Sequence, residues 1–130
     1  MRTLSVKDYS EKLRASVQAD GRLYFAEDTG RVLSLEDRKP IKFCMDDDDI
    51  MYMVLTYGED EDAFRIRKSG SYFYVPLGLL FDSLGIDYAN NSVSYKLIRM
   101  KEMDKELGGM VYRMDMTQKP KNRKGGEVMA

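Results

Sequence analysis

The chain has no histidine and only one cysteine in 130 residues, and these two shortages exclude a good deal of chemistry. Histidine is the commonest general base and the commonest transition-metal ligand, and neither role can be filled by it here. Ser–His and Cys–His nucleophile pairs cannot form, and one cysteine cannot complete a structural zinc site within one chain. Cys44 has no partner for an intramolecular disulfide. Set between Phe43 and Met45, it reads as a small core hydrophobe rather than a nucleophile.

Other absences narrow the field further. No apolar run approaches the ~20 residues that a membrane-spanning helix requires, and the start, Met1-Arg-Thr-Leu-Ser-Val-Lys-Asp, lacks the apolar stretch of a secretory signal. A cytoplasmic protein is expected. Asn90-Asn91-Ser92 then matches the glycosylation sequon by chance. Gly108-Gly109 and Gly125-Gly126 are isolated pairs without the Gly-x-x-x-x-Gly-Lys context of a phosphate loop. These absences lead us to expect a binding protein with no enzymatic activity, no cofactor and no metal.

Carboxylates are plentiful, in the runs Asp46, Asp47, Asp48, Asp49 and Glu59, Asp60, Glu61, Asp62. A calcium loop needs glycine at its sixth position and glutamate at its twelfth. Counted from Asp46, those places hold Met51 and Tyr57. Adjacent carboxylates on a strand would also point alternately to opposite faces. Both runs therefore read as solvated loops, the second as the tip of a hairpin between residues 51–56 and 63–67.

The most ordered signal lies in residues 64–99. Phe64, Ile66, Tyr72 and Tyr74 alternate with Arg65, Arg67, Ser71 and Phe73, the period of half-buried strands, around a Ser69-Gly70-Ser71 turn. Pro76 ends the second strand and suits the first turn of a helix. Leu77, Leu80, Phe81 and Leu84 then recur at helical spacing, and Gly85 stands at the C-cap. Val93, Tyr95 and Leu97 mark one more strand.

This order resembles the swapped-hairpin domain of AbrB/SpoVT/MazE-type transcription factors and antitoxins. The residues that carry the resemblance are Arg65, Arg67, Lys68, Gly70, Val75, Pro76, Leu84, Gly85 and Ile86. It covers roughly a third of the chain. It implies a homodimer whose paired strands form a face for duplex DNA, with Arg65, Arg67 and Lys68 on phosphates.

Elsewhere, Val6, Tyr9, Leu13 and Val17 predict an amphipathic helix over residues 5–19, with Ser5 and Asp8 as a capping box. Residues 22–25 and 31–35 read as a hairpin around Glu27-Asp-Thr-Gly30. Residues 41–45 and 50–56 read as strands, residues 101–107 as a short helical or extended piece, and residues 110–116 as the last strand. The expected fold is α+β: one domain over residues 1–116, with an N-terminal helix, a mainly antiparallel sheet and a short proline-started helix. Residues 63–100 would be its swapped-hairpin-like module. Residues 117–130 hold little apolar material and read as a disordered basic tail, whose Lys119, Lys121, Arg123 and Lys124 could form a nucleic-acid arm.

The net charge of −1 conceals two unlike halves: residues 1–62 carry −6 and residues 63–130 carry +5. Such asymmetry favours a charged partner. Two functions are compatible with this. The first is a dimeric DNA-binding transcriptional regulator or antitoxin-like protein using Arg65, Arg67, Lys68 and the basic tail. The second is a protein-binding inhibitor or adaptor, of the kind phage and mobile elements encode, presenting the two acidic runs to a basic protein. The ten methionines and nine tyrosines suit a binding surface in either case.

Overall fold

The computed structural model describes Met1 and residues 13–121. Its frame is one antiparallel sheet that curls until its edges nearly meet. The strands are β1 (Arg14–Val17), β2 (Arg22–Phe25), β3 (Pro40–Met45), β4 (Met51–Thr56), β5 (Phe64–Arg65), β6 (Arg67–Ser69), β7 (Tyr72–Pro76), β8 (Asn91–Arg99) and β9 (Gly109–Pro120). They lie in the order β5-β3-β4-β9-β8-β1-β2-β7-β6. The two edge strands, β5 and β6, are separated in sequence by Ile66 alone. Ile66 continues the ladder beside β3: its N–H donates to the Lys39 carbonyl at 2.9 Å, and its carbonyl accepts from Arg38 N–H at 2.6 Å. A single bent strand thus borders β3 with its first half and β7 with its second, which leaves few unpaired edge groups.

Alternation along the strands fills the interior. Ala15, Val17, Leu23, Phe25, Ile41, Met53, Leu55, Ile66, Val75, Val93, Tyr95, Leu97, Tyr112 and Met114 are buried in one continuous core. Among the described residues three short helices dress this frame: α1 (Glu27–Val32) after β2, α2 (Gly78–Ser83) after β7, and α3 (Asp104–Leu107), which follows a 3₁₀ turn at Lys101–Met103. At the end reached by β2, the residues after α1 bury Leu33 and Leu35. At the opposite end, Leu77 and Phe81 close the barrel; Phe81 is fully buried and its ring centroid lies 6.3 Å from that of Tyr95.

A barrel-like, mostly antiparallel sheet with little helix replaces the expected α+β fold. Among the described residues the predicted N-terminal helix is not seen: residues 14–17 form β1, and residues 5–12, with the capping pair Ser5 and Asp8, lie outside the described residues. Leu13 and Val17 are four apart, a spacing that places them on one face of a strand as readily as of a helix. Ala15 between them, 2% exposed, resolves the ambiguity toward the strand. The predicted strand over residues 31–35 is also replaced, because Glu27–Val32 is helical. Glu27 and Asp28 in its first turn and Arg31 in its last suit a helix dipole.

The hairpin predicted between residues 51–56 and 63–67 does not form. β4 pairs with β3 and β9, and β5 lies on the far side of β3. The tail prediction changes too, since β9 runs on to Pro120 and pairs Thr117, Gln118, Lys119 and Pro120 with Ser94, Val93, Ser92 and Asn91.

Several expectations are met. The turn at Gly70 has φ 62°, Gly85 ends α2 at φ 72°, and residues 91–99 and 109–120 contain the predicted strands. α2 starts at Gly78, with Pro76 the last residue of β7. The predicted face of β7 is reversed: Val75 is buried and Phe73 packs on the core, while Tyr72 and Tyr74 stand outside. Among the described residues, no helix is long and apolar enough to cross a membrane.

Candidate nucleic-acid interface

The outer surface of the barrel differs from side to side. Outside β4 and β9 lies a second small core of Tyr52, Val54 and Val111, with Cys44, Met100, Met103 and Leu107 packed against it. α3 and its 3₁₀ turn are clamped there by Arg99, whose Nη1 and Nη2 each donate to Asp104 at 2.6 Å. The Asp104 carboxylate also accepts the Val111 N–H at 2.9 Å. The Arg99 guanidinium beside it holds its pKa below the ordinary carboxylate range. Cys44 sits half-buried at this cluster, and burial raises its thiol pKa.

Among the described residues, the outer face of β8, β1, β2, β7 and β6 has no such cover. Cross-strand register aligns Ser94, Ser16, Tyr24, Tyr74 and Arg67 in one row. Ser16 and Ser94 are small and their neighbours are not, so the face dips into a groove of about 640 Å³ whose lining includes Arg14, Ser16, Tyr24, Tyr72 and Ser94. Tyr24 and Tyr74 stack with centroids 5.1 Å apart and planes inclined by 28°. The Arg22 guanidinium lies 4.7 Å from the Tyr74 ring centre. Tyr24, then Tyr74 and Asp20, push the Arg22 pKa above its ordinary value. Asp20 also lines the groove; its charge is met by Arg22, which it approaches at 3.4 Å.

The cations of this face come from separate strands of the chain. Arg14, Arg22, Arg67, Lys96 and Lys119 lie on β1, β2, β6, β8 and β9, and Lys121 just succeeds β9. Arg14, Arg67, Lys96, Lys119 and Lys121 make no ion pair among the described residues, whereas Arg113 on β9 is bonded to Asp115 at 2.7 Å. The composition of this face is thus tyrosine, serine and cation, with Asp20 and Asp115 both next to arginines.

The predicted basic residues fare unequally. Arg65 is bound by Glu59 and donates to the Arg38 carbonyl at 3.2 Å. Glu59 thus holds Arg65 by a two-point contact. Lys68 sits 5.9 Å above the Phe73 ring, with its N–H on Asp37. Arg67 stays exposed beside Tyr74. Lys119 and Lys121 join the face through β9 and its extension, where the Lys121 N–H donates to the Asn90 carbonyl at 3.0 Å. Arg123 and Lys124 lie outside the described residues.

Both acidic runs are turns, as expected, but they lie at opposite ends of β4, separated by its six residues or about 20 Å. Asp46 accepts the N–H groups of Asp48 and Ile50 at 2.9 Å and the Tyr52 hydroxyl at 3.1 Å, which shapes the β3–β4 turn. The Ile50 bond is foremost in lowering its pKa. Asp60 accepts from Lys42 at 2.9 Å and from Asp62 N–H at 2.9 Å. Asp47, Asp48, Asp49, Glu61 and Asp62 remain exposed. No group of His, Cys, Asp and Glu among the described residues could hold a metal ion.

Sequence reasoning missed Arg14, Arg22, Tyr24, Tyr72 and Lys96. The signal was present as Arg14 and Ser16, then Arg22 and Tyr24, alternating against Ala15, Val17, Leu23 and Phe25. No family model matches this chain, and neither a curated protein nor a solved structure matches it.

Proposed function

We propose that this protein is a non-enzymatic nucleic-acid-binding protein that takes a single strand across the outer face of β9, β8, β1, β2, β7 and β6. The observation that carries this reading is the groove: small serines at its base, Tyr24 and Tyr72 at its side, and Arg14 within it. A flat base laid over the serines meets tyrosine on the β2–β7 side, and base–aromatic stacking contributes about 1–3 kcal/mol per base. Phosphates on either side meet Arg22, Arg67, Lys96, Lys119 and Lys121. Arg67 and the two lysines near the end of β9 keep the phosphate-binding role expected of them, while Arg65 is engaged by Glu59.

Duplex DNA, the ligand implied by the swapped-hairpin resemblance, offers its bases only edge-on and cannot use the groove in this way. Partnership through acidic loops fits the geometry less well. Asp46, Glu59 and Asp60 are engaged within the chain, and the two runs are too far apart to act as one patch.

Fluorescence anisotropy with labelled 12-nucleotide single strands and the matching duplex, at low salt, tests the reading. Single strands are expected to bind more tightly, with affinity falling as salt rises. Equal or tighter duplex binding would return the argument to a duplex-binding regulator. Absence of binding to either would remove the nucleic-acid reading.

A further inference from the structure

At the barrel end covered by α2 lies a second cavity, of about 650 Å³, whose lining residues differ from those of the groove. Its wall is largely apolar: Met45, Met51, Met114, Met116, Leu84 and Ile86 contribute to it, with Asp49 and Asp115 at its rim. Four methionines make this wall adaptable, because unbranched thioethers change rotamer at little cost. Tyr95 also lines the cavity. It is 2% exposed, and its hydroxyl alone among the buried side-chain polar groups of the described residues has no hydrogen-bond partner. Burial pushes its pKa up to about 12, so it stays protonated and can donate. An unsatisfied buried hydroxyl is costly, and a methionine-lined space beside one is a site with a single polar handle. The volume falls in the range of small-molecule sites.

We propose that this cavity binds a small, uncharged, mainly apolar molecule carrying one hydrogen-bond acceptor, a carbonyl or ether oxygen, which receives the Tyr95 hydroxyl proton. Asp49 at the rim, with Asp47 and Asp48 on the same turn, sets the charge preference, since a carboxylate ligand would meet like charge there. Asp115 contributes less to that field because Arg113 pairs with it. The inference does not depend on nucleic-acid binding, because the groove and the cavity share no lining residue.

The test is a titration of the full chain with Nile red, a neutral dye with one carbonyl acceptor, followed by its emission. A saturable, blue-shifted signal is expected. Met116→Arg, at a rim position 49% exposed and so compatible with folding, should weaken binding at least tenfold. Tyr95→Phe, which keeps the ring and removes the donor, should weaken it about fivefold. Methyl laurate should displace the dye at lower concentration than laurate. Absence of saturable binding, or binding unchanged by Met116→Arg, would overturn the site. Unchanged affinity in Tyr95→Phe, or laurate competing as well as its ester, would overturn the proposed ligand chemistry.

Discussion

β4 and β1 are neighbours of the same core, yet one is buried on both faces and the other on one. All six residues of Met51–Thr56 are buried. In Arg14–Val17, burial alternates, with Ala15 and Val17 inside and Arg14 and Ser16 outside. The difference comes from the segment that joins β8 to β9. Arg99 at the end of β8 recruits Asp104, which pulls the 3₁₀ turn and α3 over Val54 and Val111. Among the described residues nothing comparable covers β1 and β2, and there the outward positions are serine, tyrosine and arginine instead of valine. A covered face is written in apolar residues, and a bare face made of aromatics and cations is available to a ligand.

The largest effect should come from placing one charge on each face. Val54→Asp buries an unpaired carboxylate at a position with no exposure, and should cost about 4 kcal/mol. Ser16→Asp should change stability by less than about 0.5 kcal/mol while weakening single-strand binding. Urea denaturation of both variants measures this contrast, and similar losses in the two would break the comparison.

Ending the chain at Met116 should come next. It removes the strand partners of Asn91, Ser92, Val93 and Ser94, and the thermal midpoint should fall by at least about 4 °C. An unchanged midpoint would mean that this stretch of β9 adds nothing to the barrel.

Acid should then act on the covered side. The Asp104 pKa is lowered in the fold, foremost by its hydrogen bond to Arg99. Its contribution is therefore present above the ordinary carboxylate pKa and is lost as pH falls through the lowered value. Asp104→Asn should be less stable at neutral pH and lose less on acidification than the unmodified chain. Parallel stability–pH curves would contradict the clamp. On the bare side, Arg14→Ala and Arg67→Ala should each reduce the salt dependence of single-strand binding by about 0.7 in log–log slope. That is the smallest effect, read by anisotropy at several salt concentrations.

Legibility in the sequence tracked the physics of each segment. Residues 91–99 could be read because Val93, Tyr95 and Leu97 alternate without competition, and Gly70 and Gly85 because they occupy positive φ. Leu13 and Val17 misled because a spacing of four serves strand and helix alike, and a single small Ala15 is a weak arbiter. Tyr72 and Tyr74 were set on the wrong face because tyrosine counts as apolar in a periodicity, whereas in the fold Phe73 and Val75 win the interior. Arg65 looked available because its partner Glu59 belongs to a run whose position relative to β5 depends on which strands pair. That pairing, with β3 between β4 and β5, is non-local and leaves no mark in local spacing.

The outer face of β8, β1, β2 and β7 is proposed to receive a single nucleic-acid strand. Amide chemical shifts of the isotope-labelled protein, followed during titration with a 12-nucleotide single strand, test it directly. Concerted shifts are expected at Arg14, Ser16, Tyr24, Tyr72 and Ser94, with Val54 and Val111 unmoved. Shifts confined to Asp46–Asp49 and Glu59–Asp62, or no shifts at all, would contradict it.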